Sequence, residues 1–393
     1  MLFFLFIRPL HRIFVKDSRD EQTNEPIHMR KLLTTILVTL SLTQATAATT
    51  IPIKGQVIKP TDKNIVYTGR ISFANPEAPT FTYPGTQIMA AFEGTSLKLI
   101  CKPQSGYFMA QIDKAEPFKV GFNAPKDSVV TIATALPDGR HTVRLMYCVE
   151  GLDLKPVFRG FVLDEGRQLL PPMPLPERKI EYIGNSITCG YGNESIDKMN
   201  HFEYETENHY YSYAAETSRQ LNAQHMVVAR SGIGIYRNYN GPRTGNKDCM
   251  PAQYDFTLFN DYKERWDFSR YQPDVVCINL GTNDLSTPNY DIKLYTSAYK
   301  KFLSTIRGHY PKAKIVLVTG CMLNGKELEL QQKTLDQIQA DARKNGDSEI
   351  YRFDFTPQTG ELYFGADWHP SLWQHQKMAG ELTAYLRTLM HWF

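Results

Sequence analysis

Four short segments carry residues able to do covalent chemistry together. They are Gly184-Asn185-Ser186, Ser231-Gly232, Gly281-Thr282-Asn283-Asp284 and Asp367-Trp368-His369-Pro370. Ester hydrolysis needs a nucleophile, a base to take its proton, and N–H donors aimed at the oxygen that becomes negative. Ser186 is the candidate nucleophile and His369 the candidate base, with the Ser186 N–H, the Gly232 N–H and the Asn283 side-chain amide as oxyanion donors. Each has a plainer role when read alone. Ser186 or Asn283 can cap a helix, Gly232 can permit a positive φ in a turn, and His369 can lie on the surface.

The base also needs orienting. A neutral imidazole that presents a bare Nε2 to Ser186 must carry its proton on Nδ1 and donate it to an acceptor. The carboxylate of Asp367 and a backbone carbonyl both qualify, and the spacing of one intervening residue does not decide between a triad and a Ser-His dyad. Asp367 is the favoured partner, because it stands beside the base in a Gly-Ala-Asp turn.

What raises the four segments above their plainer roles is the order of elements around them. Strand candidates at 179–183, 226–229, 274–280, 314–319 and 349–355 alternate with helical stretches at 210–221, 290–307 and 326–344 and a last helix after Pro370-Ser371. Such alternation predicts a parallel sheet with helices on both faces, whose carboxyl ends share one edge. Ser186, Ser231-Gly232 and Asn283 follow the first three strands, and His369 comes shortly after the fifth. The polar stretch 239–267 reads as an excursion over the site or a decorated surface loop.

The region before it has a different pattern. Residues 48–170 hold about eight short strand-like runs (65–67, 80–83, 87–92, 96–101, 107–112, 128–133, 142–148 and 156–163) separated by turn clusters, which predicts an all-β sandwich of jelly-roll type. Residues 171–178, rich in proline, form a stiff connector that leaves little slack, so the sandwich is expected to dock on the α/β domain at 179–393.

Residues 1–47 are a leader. Met29-Arg30-Lys31, the apolar run 32–42 and Ala45-Thr46-Ala47 have the pattern of a signal peptide with its true start at Met29, implying a secreted or periplasmic protein. The apolar run is too short to span a membrane. Six basic and four acidic residues in the leader account for +2 of the net charge of +3, so the remainder is near neutral and offers no electrostatic footprint for nucleic acid. The six cysteines have no metal-site spacing, and nothing calls for a cofactor or metal. Cys101 and Cys148 lie in strand-like runs and are the candidates for a disulfide, with burial as free thiols the alternative.

In order and spacing the four segments resemble the sequence blocks of the SGNH hydrolases, named for their Ser, Gly, Asn and His. Asn185 departs from the usual Gly-Asp-Ser of the first block, and residue 366, where the superfamily places an acid three residues before the histidine, is Ala. A sandwich ahead of this domain, with Ser-Ile-Thr-Cys-Gly-Tyr-Gly from Ser186, Ala-Arg-Ser-Gly-Ile-Gly-Ile-Tyr-Arg-Asn-Tyr from Ala229 and Gly-Ala-Asp-Trp-His-Pro-Ser from Gly365, resembles carbohydrate esterase family two. The resemblance implies a flavodoxin-like α/β catalytic domain and a serine esterase that removes acetyl groups from xylan or a related polysaccharide or oligosaccharide. Trp368 beside the base is then a candidate sugar-stacking wall, with plain packing the alternative. Two other functions are kept: an O-acetyl esterase of peptidoglycan or another bacterial glycan, and a non-catalytic carbohydrate-binding protein. Oligomeric state is not legible.

Overall fold

The computed structural model describes residues 53–126 and 128–393; the leader and its signal-like block lie outside them. The first ten strands are β1 (Gln56–Ile58), β2 (Val66–Thr68), β3 (Gln87–Gly94), β4 (Leu97–Cys101), β5 (Gly106–Ile112), β6 (Phe118–Phe122), β7 (Val129–Ala133), β8 (Gly139–Tyr147), β9 (Phe158–Leu163) and β10 (Leu169–Leu170). They form two antiparallel sheets. One has the order β1-β9-β4-β7, and the other β10-β3-β8-β5-β6 with β2 also on β3. The chain passes repeatedly from one sheet to the other, and Leu97 and Leu99 of β4 share a core with Phe92, Phe108 and Leu145 of the facing sheet.

Three strands lie outside the expected runs, namely β1, β6 and the two-residue β10. Short edge strands of this kind leave little periodic signal. Conversely, the run at 80–83 is not a strand and makes only isolated bridges at Thr80. Its two apolar residues serve different cores: Phe81 enters the sandwich core, while Tyr83 enters the core of the following domain.

That domain is built from β11 (Arg178–Gly184), β12 (Ala223–Ala229), the hairpin β13 (Phe256–Leu258) and β14 (Asp261–Arg265), β15 (Val275–Asn279), β16 (Lys314–Thr319) and β17 (Ile350–Asp354). Its helices are α1 (Ser186–Cys189), α2 (Tyr213–Gln220), α3 (Met250–Gln253), α4 (Thr282–Leu285), α5 (Ile292–His309), α6 (Gly325–Lys344) and α7 (Leu372–Met390). The main sheet has the order β12-β11-β15-β16-β17 and is parallel throughout. The order reverses between β11 and β15, and it is outside the carboxyl ends at such a point that open α/β sheets bind ligands.

Both faces are covered. Val276, Ile278, Ile315 and Leu317 point into one core with Tyr299 and Phe302 of α5 and Leu335 of α6, whereas Val275, Cys277, Val316 and Val318 point into the other with Tyr213 of α2 and Met378 and Leu382 of α7. Burial on alternate faces explains the continuous apolar runs of β15 and β16. Local chemistry sets the helix starts. The Asp291 carboxylate accepts the Lys293 and Leu294 N–H groups to open α5, and the Ser371 hydroxyl accepts the Gln374 N–H to open α7 directly after His369. All six cysteines are free and buried, so Cys101 and Cys148 are not bridged.

The sandwich is docked on the α/β domain through buried polar contacts. Arg70, fully buried, reaches from the sandwich to Glu181 of β11 at 3.2 Å and donates to the Phe256 carbonyl at 3.0 Å and to the Tyr254 carbonyl. The Tyr254 hydroxyl donates to the other Glu181 oxygen at 2.8 Å, and the guanidinium lies 4.8 Å from the Tyr254 ring centre. Burial pushes the Glu181 carboxyl up, and Arg70 is the largest influence opposing it. The excursion 239–267 thus supplies Tyr254, Phe256 and Trp266 to the domain junction around Arg70, a role neither sequence alternative contained.

Removing one member of a buried ion pair strands the other in a poorly solvating interior. Arg70→Ala is therefore expected to lower the unfolding free energy by about 3–5 kcal/mol, as measured by urea denaturation of the whole protein. A loss below about 1 kcal/mol, the range of solvent-exposed pairs, contradicts a buried pair at the junction.

Candidate active site

β11 ends at Gly184, and the chain turns at once into α1. Asn185, extended at φ −118°, caps that helix, its Oδ1 accepting the Ile187 N–H at 3.0 Å. Because Asn185 caps, Ser186 does not, and its hydroxyl is left for other work. Gly184 is required by space, since a Cβ there would sit 2.0 Å from Thr188 Oγ1.

The Ser186 hydroxyl donates to His369 Nε2 at 2.9 Å, across 183 residues of sequence. His369 Nδ1 faces two backbone carbonyls, those of Ala366 at 3.1 Å and Asp367 at 3.2 Å. This overturns the favoured orientation, in which the Asp367 carboxylate held Nδ1. That carboxylate accepts the Tyr191 hydroxyl at 2.6 Å and pairs with His201 Nδ1 at 2.9 Å. The cause is in the backbone: Asp367 and Trp368 both lie in the left-handed region, at φ 47° and 64°, turning the carboxylate away while aiming the carbonyls inward. Residue 366 is also unsuited to carry an acid, as the Ala366 Cβ is buried against Gly192, which accepts the Ala366 N–H at 3.0 Å.

Asp367 still bears on the base, through Tyr191. The Tyr191 ring stacks on the His369 imidazole with centroids 4.0 Å apart and planes at 27°. Tyr191 held by Asp367 thus forms a wall beside the base, a contact the sequence reading lacked. Burial opposes the Asp367 charge, but the hydrogen bonds from Tyr191 and His201 hold its carboxyl below the usual carboxylate range. Burial pulls the His369 pKa down to about 4, so the imidazole is neutral at neutral pH.

The remaining segments meet beside them. Asn283, in α4, donates its side-chain amide to the Ile233 carbonyl at 2.8 Å, which leaves the second amide hydrogen free of that bond. Gly281, not Asn283, is the residue before the helix. Gly232 has φ +74° with open space where a Cβ would be, and among the described residues neither its N–H nor that of Ser186 has a protein acceptor. Asp284, noted only as part of its segment, is the knot of this edge. Fully buried, it accepts the N–H groups of Ile235, Tyr236 and Arg237 at 2.9–3.1 Å and so ties the loop after β12 to the loop after β15. Burial pushes its carboxyl up to about 6, opposed by those same N–H groups.

Trp368 is 49% exposed beside the base, with Lys198 Nζ 3.9 Å from its ring centre and Phe364 at 5.4 Å. Packing alone does not explain an indole so open. Tyr239, also exposed, is held next to the site by its N–H, which donates to the Gly232 carbonyl at 2.8 Å. No residue of this edge is a cluster of metal ligands among those described; the one close group of such side chains is Glu150, Cys189 and Glu207, behind the loop.

Comparison with known proteins agrees with this architecture. Residues 67–174 match the family model described as carbohydrate esterase 2 N-terminal, and residues 182–377 match that of the GDSL-like lipase/acylhydrolase family. Cellulase/esterase CelE of Acetivibrio thermocellus is 39% identical over 84% of this chain, which spans 40% of that relative's length. An acetylxylan esterase / glucomannan deacetylase of Cellvibrio japonicus is 30% identical over 85% of this chain and 91% of its own. Among solved structures, a family two carbohydrate esterase from Clostridium thermocellum in complex with cellohexaose superposes with a TM-score of 0.78 and 38% identity, covering 84% of this chain and all of that one. The chain belongs to carbohydrate esterase family two.

Proposed function

We propose that this protein is a serine esterase that removes O-acetyl groups from xylan, glucomannan or a related polysaccharide or oligosaccharide, working with a Ser186-His369 dyad. One observation carries the reading: Ser186 Oγ lies 2.9 Å from a His369 Nε2 whose opposite nitrogen is already engaged by carbonyls. The relatives' names supply the substrate class, and the exposed Trp368 and Tyr239 suit an extended sugar chain. The signal-like block at 29–47 supports action outside the cytoplasm.

The steps follow from the groups present. Ser186 Oγ attacks the acetyl carbonyl while His369 Nε2 takes the hydroxyl proton, and the carbonyl π electrons move onto oxygen. The Ser186 N–H, the Gly232 N–H and the Asn283 amide are the proposed donors to that oxyanion. Collapse expels the sugar alkoxide, which receives the proton from His369, and leaves acetyl-Ser186. Water, deprotonated by His369, then releases acetate and restores the hydroxyl. The developing imidazolium meets the two carbonyl dipoles at Nδ1 and the π face of Tyr191, while the nearest carboxylate, Asp367, acts from beyond that ring.

Acetate release from acetylated xylan and glucomannan tests the activity, and Ser186→Ala is expected to cut kcat by about 10³ or more with the fold intact by circular dichroism. Near-normal turnover by that variant removes the assignment.

The pH profile tests the dyad. The base must be neutral, and its pKa is depressed to about 4, so kcat/KM is expected to be level through neutral pH and to fall only as pH drops through about 4. An acid limb at or above the ordinary histidine value of about 6.5 would indicate a carboxylate paired with Nδ1.

The Asp367 side chain is expected to act only through Tyr191. Asp367→Ala and Tyr191→Phe each remove the same hydrogen bond, so each should cost less than about tenfold in kcat, well under the roughly 10⁴ of a true triad acid. The double variant should be no worse than the poorer single one, as for residues in one network. Additive losses, or an Asp367→Ala loss near that of His369→Ala, would restore Asp367 as the direct partner.

A further inference from the structure

Directly behind the proposed oxyanion loop lies a pair of acids that the mechanism above does not use. Glu150, on the loop that follows β8 of the sandwich, is 9% exposed and accepts the Ser231 N–H through Oε1 at 2.6 Å. The backbone N–H of Glu150 in turn donates to Oε2 of Glu207 at 2.9 Å. Glu207 is fully buried on the segment between α1 and α2, and its Oε1 has no hydrogen-bond partner. The Cys189 thiol, at the end of α1, completes the cluster, with one ligand-type atom from each of the three residues within 4.8 Å of the others.

Two carboxyl groups this close in a dry place do not both ionise. Burial, and then the charge of Glu150, push the Glu207 carboxyl well above its usual range. Burial also raises Glu150, but the hydrogen bonding of Ser231 and the charge of Arg230 oppose it. Glu207 is thus raised further than Glu150, which leaves Glu150, the member facing the loop, the better placed of the two to carry a negative charge. A carboxylate aimed at a backbone N–H makes a strong, short hydrogen bond, and the peptide it holds, Arg230–Ser231, is the neighbour of the peptide that carries the Gly232 N–H.

We propose that Glu150 of the sandwich domain is a positioning residue for the esterase. By gripping the Ser231 N–H it fixes the Arg230–Ser231 peptide and so the start of the turn from which the Gly232 N–H is directed, and Glu207 keeps Glu150 in place from the other side. The need for such a grip is local. Gly232, at φ +74° and with open space where a Cβ would be, has the conformational freedom to swing its N–H off the oxyanion. On the far side the loop is held by the Tyr239 N–H on the Gly232 carbonyl and by Asp284, so Glu150 is the anchor on the near side. The sandwich would then be part of the catalytic apparatus, and not only a docked neighbour. This rests on the esterase reading, so the wild-type enzyme and the inactive Ser186→Ala variant are assayed first; if the wild type is inactive, that reading fails before the role of Glu150 is examined.

Three variants of the whole protein separate the possibilities, each assayed on 4-nitrophenyl acetate after its melting temperature is compared with wild type. Glu150→Ala removes the acceptor, and kcat is expected to fall by about 10² with KM changed less than about threefold, as when one oxyanion donor is misplaced. Affinity for a small boronic acid, which forms a tetrahedral adduct on the serine, should fall in step with kcat/KM. Glu150→Gln keeps the reach and an acceptor oxygen without the charge, and should recover at least tenfold of the loss. Glu150→Asp keeps the charge but is one methylene short, and should recover less than Gln. That order decides the question even where Glu150→Ala does not fold. Asp equal to or better than Gln would point to a charge or metal-ligand role for the cluster, and a kcat for Glu150→Ala within threefold of wild type, or a loss confined to KM, would overturn the proposal.

Discussion

The site depends on where the proton of one imidazole is held. His369 accepts from Ser186 only while Nδ1 carries the proton, and Nδ1 carries it because two carbonyls stand in front of it. Those carbonyls are in place because Asp367 and Trp368 adopt left-handed backbone conformations that side chains of their kind enter at a cost of order 1–3 kcal/mol each. The cost is offset by contacts around the turn. Gly192 accepts the Ala366 N–H, the Gly365 N–H donates to the His369 carbonyl, and the Gln358 amide donates to the Trp368 carbonyl. Backbone carbonyls orient as firmly as a carboxylate, but they bring a dipole where the acid would bring a charge.

That difference also explains what surrounds the base. A carboxylate bonded to Nδ1 raises a histidine pKa, whereas here burial dominates and draws it down to about 4. The base is consequently weaker and is neutral over a wider pH range. In the proposed mechanism its conjugate acid is then a better proton donor to the leaving alkoxide. The acid that the turn does contain serves a second purpose, holding Tyr191 flat against the imidazole.

Much of this was legible in the chain. Strand and helix order in the second domain could be read because each element is long, periodic and capped, as α5 and α7 are by Asp291 and Ser371. Ser186, Gly232, Asn283 and His369 could be picked out because a parallel sheet gathers the ends of its strands. The direction of the Asp367 side chain could not, for it depends on two φ angles that no residue type dictates. Arg70 and Glu150 were invisible for a related reason. Each is one charged residue in a strand-rich stretch, and its partner, Glu181 or Ser231, lies 111 or 81 residues away. The run 80–83 misled because its polar-apolar alternation imitates the one buried face of a strand, whereas Phe81 and Tyr83 enter the cores of two different domains.

The two domains are therefore joined where their charges are most costly to leave unpaired. Arg70 reaches Glu181 in β11, the strand that ends in Ser186, and Glu150 reaches the loop that carries Gly232. Both contacts are buried and made by ionisable side chains, so both are intolerant of drift: moving the sandwich by an ångström would leave an unmatched charged or polar group in a poorly solvating interior. An apolar interface of the same area would hold the domains together but would let them slide, since apolar attraction has no direction. Hydrogen bonds with fixed geometry transmit position. In this molecule they connect a sandwich loop to the loop that carries Gly232, and that gives a physical reason for a β domain to be fused ahead of an α/β fold whose own residues supply the proposed nucleophile and base.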